Sequence, residues 1–238
     1  MGLYEDLIES VKSRKDEIIR DVRVGLGWTA VLTSNIGLSL TYSSPEDELE
    51  EGGSLKGKNA YKVLTYLKTF NLLKLSIGLA TLNSLIDVPK DFETFNILDY
   101  MEETSKEKKV VFVGHFPGLD KIRSVAKELV ILERNPKEGD LIDSACEYVM
   151  GDADIVAITG SAFANKTIER LLKLSRGYTI LLGPSTPLSP VLFDYGVDLI
   201  GGSLILDKDK VLEAVSQGVK HGIVRNKKYL KPVALKRN

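Results

Sequence analysis

The stretch Asp154-Ile-Val-Ala-Ile-Thr-Gly-Ser-Ala-Phe-Ala-Asn-Lys-Thr167 decides the fold predicted for this chain. Its residues 155–158 form a short apolar run rich in β-branched side chains, which is typical of a strand buried on both faces. The run stops at Thr159-Gly-Ser161, where small residues allow a sharp turn and the close approach of a bound group. Helical spacing begins near Asn165, and Asn165 or Thr167 is suited to cap that helix. This arrangement would direct free N–H groups at a ligand, although an ordinary strand–helix loop fits it equally well.

The second half of the chain alternates strands and helices around this stretch. Strands separated by helices predict a parallel, doubly wound sheet with right-handed crossovers. In the strand order 2-1-3-4-5, the topological switch lies between the first and third strands, so loops 114–118 and 159–165 would line one crevice. The predicted strands are 110–113, 129–132, 154–158, 179–182 and one within 198–206, and the helices include 140–150, 188–195 and 208–217.

The first ninety residues have a different pattern. Residues 3–20 predict an amphipathic helix, and apolar residues at every second position from Val22 to Leu32 predict one long strand. The turn residues 34–37 and a renewed alternation complete a β-hairpin, and helices are predicted at about 59–68 and 71–86. The chain is therefore divided into an α+β domain (1–98), a parallel α/β domain (99–225) and a basic C-terminal tail (226–238). The tail is expected to be solvated, with an anion clamp over the cleft as the alternative.

Composition excludes several classes of protein. The 238 residues are 43% hydrophobic with a net charge of −1, which indicates a folded chain without general affinity for nucleic acid. A single cysteine, Cys146, rules out an internal disulfide and suits a reducing cytoplasm. No signal peptide or membrane-spanning run is recognised, so a cytoplasmic protein is expected. Two histidines leave few ligands for soft metals, and His115 is a weak metal candidate that is more simply explained as a hydrogen-bonded side chain.

Two further motifs each have two interpretations. In Gly183-Pro-Ser-Thr-Pro187, two prolines flank Ser185 and Thr186, which predicts either a preorganised binding loop or a rigid turn that caps the next helix. Glu133 ends the second predicted strand, where an acid would hold a ribose in an NAD-binding fold. Because the glycine spacing of that fold is absent from residues 114–118, a nucleotide- or NAD-dependent enzyme is kept only as the alternative.

Three segments together resemble the putative heavy-metal chelation family of prokaryotic proteins. They are Ile158-Thr-Gly-Ser-Ala-Phe-Ala-Asn-Lys-Thr167, Leu182-Gly-Pro-Ser-Thr-Pro-Leu-Ser-Pro190 and Phe193-Asp-Tyr-Gly-Val-Asp-Leu-Ile-Gly-Gly202. The resemblance implies a domain similar to the enolase N-terminal domain joined to a Rossmann-like domain. It also implies a cleft between them, lined by these loops and by a residue such as Asn83. Lys166 departs from the small residue expected in the family and would add positive charge at the helix start.

These observations predict a protein that binds a small anionic metabolite, or a metal chelate, between two domains. Any metal is expected to be carried by the ligand, since thiolates and imidazoles are not clustered in the sequence. The sequence leaves open whether a reaction is catalysed, whether the chain forms a homo-oligomer and what the acidic loop 46–51 does. The candidate ligand-binding residues are Asn83, Gly114, Phe116, Glu133, Thr159, Gly160, Ser161, Asn165, Thr167, Gly183, Ser185 and Thr186.

Overall fold

A computed structural model describes residues 2–88, 90–220 and 222–237 of the chain. The first part contains α1 (Leu3–Ser10), β1 (Asp21–Val24), β2 (Trp28–Leu32), β3 (Ile36–Leu40), α2 (Ala60–Val63) and α3 (Leu72–Leu85). The second part contains α4 (Ile97–Thr104), β4 (Lys109–Val113), α5 (Leu119–Arg123), β5 (Glu128–Glu133), β6 (Leu141–Ile142), α6 (Cys146–Val149), β7 (Ile155–Thr159), α7 (Ser161–Ala164), α8 (Ile168–Leu174), β8 (Tyr178–Leu182), β9 (Leu199–Ile205), α9 (Lys208–Ser216), α10 (Gly222–Arg225) and β10 (Leu230–Lys236). Short 3-10 helices occur at Lys12–Arg14, Leu64–Lys68, Asp143–Ala145 and Pro190–Tyr195.

The first part forms a three-stranded antiparallel sheet in the order β1-β2-β3. The predicted two-stranded hairpin is wrong in one respect, because a turn divides the long first strand. Gly25 N–H donates to Trp28 O at 2.9 Å and closes that turn, so Leu26 is exposed instead of continuing the alternation. The predicted helix 3–20 is also too long. Helix α1 ends at Ser10, and the charged stretch that follows passes through the 3-10 helix Lys12–Arg14 to an isolated bridge between Ile18 and Asn59.

The second part forms a seven-stranded sheet in the order β10-β9-β8-β7-β4-β5-β6. The five strands predicted from the sequence are β4, β5, β7, β8 and β9, and their order 2-1-3-4-5 is confirmed. Each neighbouring pair among these five is parallel. Alternate residues enter two separate hydrophobic clusters, with Val111 and Val156 in one and Phe112 and Ile155 in the other. Both faces of the sheet are therefore buried, as continuous apolar strands require.

The C-terminal segment is not a solvated tail, and this expectation was wrong. Residues 230–236 form β10, which pairs antiparallel with all seven residues of β9. Val233 and Ala234 are fully buried, while Pro232 falls on this edge strand, where a missing N–H is tolerated. The basic residues misled the prediction because Lys231 and Lys236 lie on either side of a short buried run, residues 233–235, within the same strand. The strand also bridges back to the segment between the two parts, with Glu93 and Ala234 exchanging two backbone hydrogen bonds of 2.9 Å.

The two parts of the chain share hydrophobic contacts. Helix α3 packs on β2 and β3, and its buried residues belong to the same cluster as one face of the larger sheet. Helix α9, which follows the larger sheet in sequence, packs on β1 and β2. The small sheet therefore lies between a helix of its own half and a helix of the other half. In the part of the chain that the structure describes, no helix is both long and apolar enough to span a bilayer.

Candidate functional site

A cavity of about 600 Å³ lies between the small sheet and the larger one. On one side are the start of β3 and the end of α3, and on the other are the loop after β8 and the end of β9. Its walls are mainly aliphatic. The polar and charged lining residues are Asn35, Asn83, Asp87, Lys90, Thr186, Ser203 and Lys208. Two of the predicted ligand-binding residues, Asn83 and Thr186, thus line one cavity that both parts of the chain build.

Asn83 is fixed in orientation by its own amide. Its Nδ2 donates to Leu38 O at 2.8 Å and to Ser185 O at 3.1 Å, so one side chain joins β3 to the loop after β8. Because both neighbours are carbonyl oxygens, only the –NH₂ group fits between them. The amide oxygen Oδ1 therefore lies on the other side, buried and without a hydrogen-bond partner among the described residues.

Glycine 37 brings β3 close enough to α3 for this contact. A Cβ atom at this position would lie 2.1 Å from Ala80 O and 2.3 Å from Ser84 N. Because no side chain fits there, the strand approaches the helix backbone directly, and Leu38 O comes within reach of Asn83. The sequence predicted only a turn at Gly37, so the close packing of β3 on α3 was missed.

The paired hydroxyls after β8 have different environments. Ser185 Oγ accepts a hydrogen bond from Leu40 N at 2.8 Å, so it holds β3 in place. Thr186 N–H donates to Gly183 O at 3.0 Å and closes the turn. The Thr186 hydroxyl is different, because the residue is 4% exposed and its Oγ1 has no partner among the described residues. The two hydroxyls therefore differ, because Ser185 is tied to β3 and Thr186 has no hydrogen-bond partner among the described residues.

The stretch after β7 does not open onto this cavity. A Cβ atom on Gly160 would lie 2.5 Å from Thr186 N and 2.4 Å from Thr186 Oγ1. The space beside Gly160 is therefore filled by the neighbouring loop, where the sequence predicted a ligand. The hydroxyls of Thr159 and Ser161 lie 3.1 Å apart and bond to each other.

Asn165 and Thr167 bond to each other directly before α8. The Asn165 carboxamide oxygen accepts from Thr167 N at 3.2 Å and from Thr167 Oγ1 at 2.6 Å, directly before the helix. Thr167 is the N-cap residue of α8, but no side chain caps the helix, so the capping role predicted for Asn165 or Thr167 is wrong. Their role toward a ligand stays a prediction.

Phe116 lies across the ends of β4 and β8. A Cβ atom on Gly183 would lie 3.5 Å from the Phe116 ring, and one on Gly114 would lie 3.9 Å from it. The Phe116 ring also packs on Phe112, with their centroids 5.5 Å apart. The ring thus covers the crevice at the topological switch, where the sequence predicted a ligand.

The Glu133 carboxylate accepts hydrogen bonds from three backbone N–H groups. Its Oε2 accepts from His115 N at 2.9 Å, and its Oε1 accepts from Arg134 N at 2.8 Å and from Asn135 N at 3.4 Å. The carboxylate thus ties the loop after β4 to the loop after β5. A ribose would have to displace these bonds, and nothing in the structure supports the nucleotide- or NAD-dependent alternative.

His115 is held by a buried carboxylate. Its Nδ1 lies 2.9 Å from Asp140 Oδ2, and the same oxygen accepts from Lys137 N at 3.1 Å. Burial raises the pKa of Asp140, but the Lys137 N–H and the His115 ring outweigh it, so the pKa lies below its ordinary value. Among the described residues, no three His, Cys, Asp or Glu side chains are grouped so that they would hold a metal ion. The Cys146 thiol is buried, which raises its pKa and keeps it protonated.

Lys166 points away from the cavity. It has a left-handed backbone conformation (φ 64°), which explains why a small residue was expected there. Its Nζ lies 3.5 Å from the centroid of the Tyr4 ring and donates to Leu67 O. Burial lowers the pKa of this ammonium group. The lysine thus fastens the loop after β7 to the first part of the chain instead of adding charge to a binding site.

Comparison with known proteins agrees with the fold. Two family models match, DUF4213 over residues 4–86 and DUF364 over residues 96–233, and both are described as putative heavy-metal chelation. A DUF364-family protein of unknown function from Desulfitobacterium hafniense DCB-2 superposes with a TM-score of 0.86 at 26% identity, covering 99% of this chain and 98% of that one. A second, from Pyrococcus horikoshii, gives 0.81 at 17% identity and covers 98% of each chain. No curated protein matches the chain.

Proposed function

Because the chain belongs to the DUF364 family, described as putative heavy-metal chelation, we propose that it binds a small anionic metabolite or a metal chelate in the cavity between the two sheets. The observation that supports this function is the cavity of about 600 Å³ between the two sheets, which has mainly aliphatic walls and includes Lys90 and Lys208 among its lining residues.

The charge around the cavity favours an anion. Lys90 and Lys208 are among its lining residues, and Lys208 uses one donor on Ser34 O at 2.6 Å, which leaves two others. Asp87 also lines the cavity, but Arg14 Nη1 lies 3.6 Å from its carboxylate and offsets the negative charge. The cavity thus combines apolar walls with positive charge, as expected for an organic anion.

The donor set argues against direct chelation of a soft metal. The polar groups of the cavity are amide, hydroxyl, carboxylate and ammonium groups, whereas nickel, copper and zinc prefer nitrogen or sulfur ligands. Within the described ranges there is also no cluster of three candidate metal ligands. A metal would therefore reach this protein inside its ligand.

A thermal-shift screen tests this function. Bare Ni²⁺, Cu²⁺ and Zn²⁺ are compared with citrate and with the citrate complexes of the same metals. A ligand at ~100 times its Kd adds roughly 2.7 kcal/mol to the free energy of unfolding, which raises Tm by about 5–10 °C for a chain of this size. We expect such shifts for an anion or chelate and not for the bare ions.

The matched control is Ser203→Phe, which places a ring in the cavity from β9. The shift given by an anion or chelate should disappear in this variant. Mass spectrometry of the denatured wild-type protein would identify any organic ligand that co-purifies. Tight, stoichiometric binding of a bare transition metal that persists in Ser203→Phe would instead establish direct chelation at another place.

A further inference from the structure

We propose, resting on the binding function above, that the ligand is an aliphatic carboxylate. Its alkyl chain fills the inner part of the cavity, and its carboxylate lies at the mouth, toward Lys90 and Lys208. This goes beyond an organic anion, because the body of the ligand is a saturated hydrocarbon chain and not an aromatic ring, a sugar or a nucleotide.

The inner wall of the cavity is aliphatic. Ile36 and Leu38 belong to β3, Ile86 follows α3 and Leu188 lies in the loop after β8, and each of the four is at most 7% exposed. The volume of the cavity falls within the range of about 300–1,000 Å³ that is usual for small-molecule sites. An alkyl chain in contact with these side chains would remove apolar surface from water on both partners, which favours binding.

The lining has no platform for a flat ring. In the part of the chain that the structure describes, none of the lining residues is Phe, Tyr, Trp or His. Nucleobases and aromatic acids gain affinity by stacking on such rings, whereas an alkyl chain needs only aliphatic contacts. The wall therefore favours a saturated chain over an aromatic ligand.

The inner polar residues do not require a polar ligand body. Asn83 Nδ2 donates to Leu38 O and to Ser185 O, and its Oδ1 is buried. The Thr186 hydroxyl lies against Gly160, where a Cβ atom would be 2.4 Å from Oγ1. A sugar or nucleotide would need several hydrogen-bonding side chains along the wall, and these two residues do not supply them.

The charged lining residues lie toward solvent. Asp87 and Lys90 are exposed and Lys208 is half-buried. The bond of 2.6 Å from Lys208 Nζ to Ser34 O places this ammonium group at the turn between β2 and β3, and Arg14 offsets the charge of Asp87. A carboxylate at the mouth would meet positive charge and stay close to water, which avoids the cost of burying it.

The test is a series of chain lengths. Calorimetric titration of the full chain compares butanoate, hexanoate and octanoate at one pH and one ionic strength. Each added CH₂ group should raise the affinity about fourfold, which is the usual effect of burying one such group. Octylammonium, which has the same chain and the opposite charge, should bind at least about tenfold more weakly than octanoate.

Lysine variants locate the carboxylate. Lys90→Gln and Lys208→Gln should each weaken octanoate binding about two- to fivefold, without changing the factor gained for each CH₂ group. The matched control is Lys210→Gln, since Lys210 is exposed on the same helix α9, is outside the cavity lining and pairs with Glu213 at 2.8 Å. Its affinity for octanoate should equal that of the wild type.

Leu206 gives a test at the mouth that leaves the core unchanged, because this lining residue is 55% exposed. Leu206→Glu places a second carboxylate beside that of the ligand, whereas Leu206→Gln is neutral. Octanoate should bind about two- to fivefold more weakly to Leu206→Glu than to Leu206→Gln. The comparison stays informative even if Ser203→Phe does not fold.

The outcomes separate the two proposals. If citrate or its metal complexes bind and are lost in Ser203→Phe, but alkanoate affinity does not rise with chain length, the alkyl chain is refuted and the anion-binding function stands. If octylammonium binds as tightly as octanoate, the carboxylate at the mouth is refuted. If neither alkanoates nor citrate bind, or if Ser203→Phe and both Leu206 variants bind them like the wild type, the cavity is not the site and both proposals fail.

Discussion

Deletion of residues 226–238 should unfold the larger sheet. The deletion removes β10, in which Leu230, Val233 and Leu235 are each at most 5% exposed. Burial of one such side chain contributes roughly 1.5–3 kcal/mol, so three contribute about 5–9 kcal/mol. This approaches the total stability of a typical domain, which is about 5–15 kcal/mol. We expect loss of cooperative thermal unfolding, or precipitation through the exposed edge of β9.

The control retains β10 and changes only charge. Lys227 and Lys228 are exposed, and the double variant Lys227→Gln/Lys228→Gln should unfold at nearly the wild-type temperature. A deletion variant that stays folded, and loses only salt-dependent ligand binding, would show that the segment is an anion clamp after all.

Substitution of Gly160 should damage the fold more than any single change of a hydroxyl in the cavity. In Gly160→Ala the new methyl group would overlap the backbone of Thr186, which cannot move without breaking the bond from Thr186 N to Gly183 O. Overpacking against backbone costs about 3 kcal/mol, so Tm should fall by roughly 6–12 °C. Chemical and thermal denaturation measure this directly.

Gly151→Ala is the matched control. A Cβ atom there meets nothing within 4 Å, and its backbone angles are ordinary for any residue, so the free energy of unfolding should change by less than about 0.5 kcal/mol. If Gly160→Ala unfolds at the wild-type temperature but no longer binds ligand, the space beside Gly160 belongs to the ligand and not to Thr186.

The strand order and the loops at the ends of the strands were predictable from local sequence. Apolar runs such as that in β7, bounded by small residues, define buried strands, and the rules for parallel sheets then restrict their order. Helices α3 and α9 were also predicted close to their observed bounds from the periodicity of their apolar residues. These features depend on a few consecutive residues, which the sequence shows directly.

Other features depend on residues far apart in sequence, and the sequence did not reveal them. The basic residues of β10 indicated a solvated tail, because nothing local shows that β9 pairs with this segment. Ser185 and Thr186 look equivalent in the sequence, but only Ser185 meets Leu40, which is 145 residues away. The packing of Gly160 against Thr186 was likewise not predicted, because the two residues are distant in sequence.

The hydrogen bonds that join the two parts of the chain bear on how a ligand enters and leaves. Asn83 Nδ2 donates to Ser185 O, Trp28 Nε1 donates to Lys220 O at 2.5 Å, and Lys208 Nζ donates to Ser34 O, so the two parts are joined at several separate places. Opening by rotation of one part against the other would break all of them together. We therefore expect ligand exchange through side-chain motion near the exposed Leu206, on the nanosecond scale of such motions, and not through domain hinging over microseconds to milliseconds.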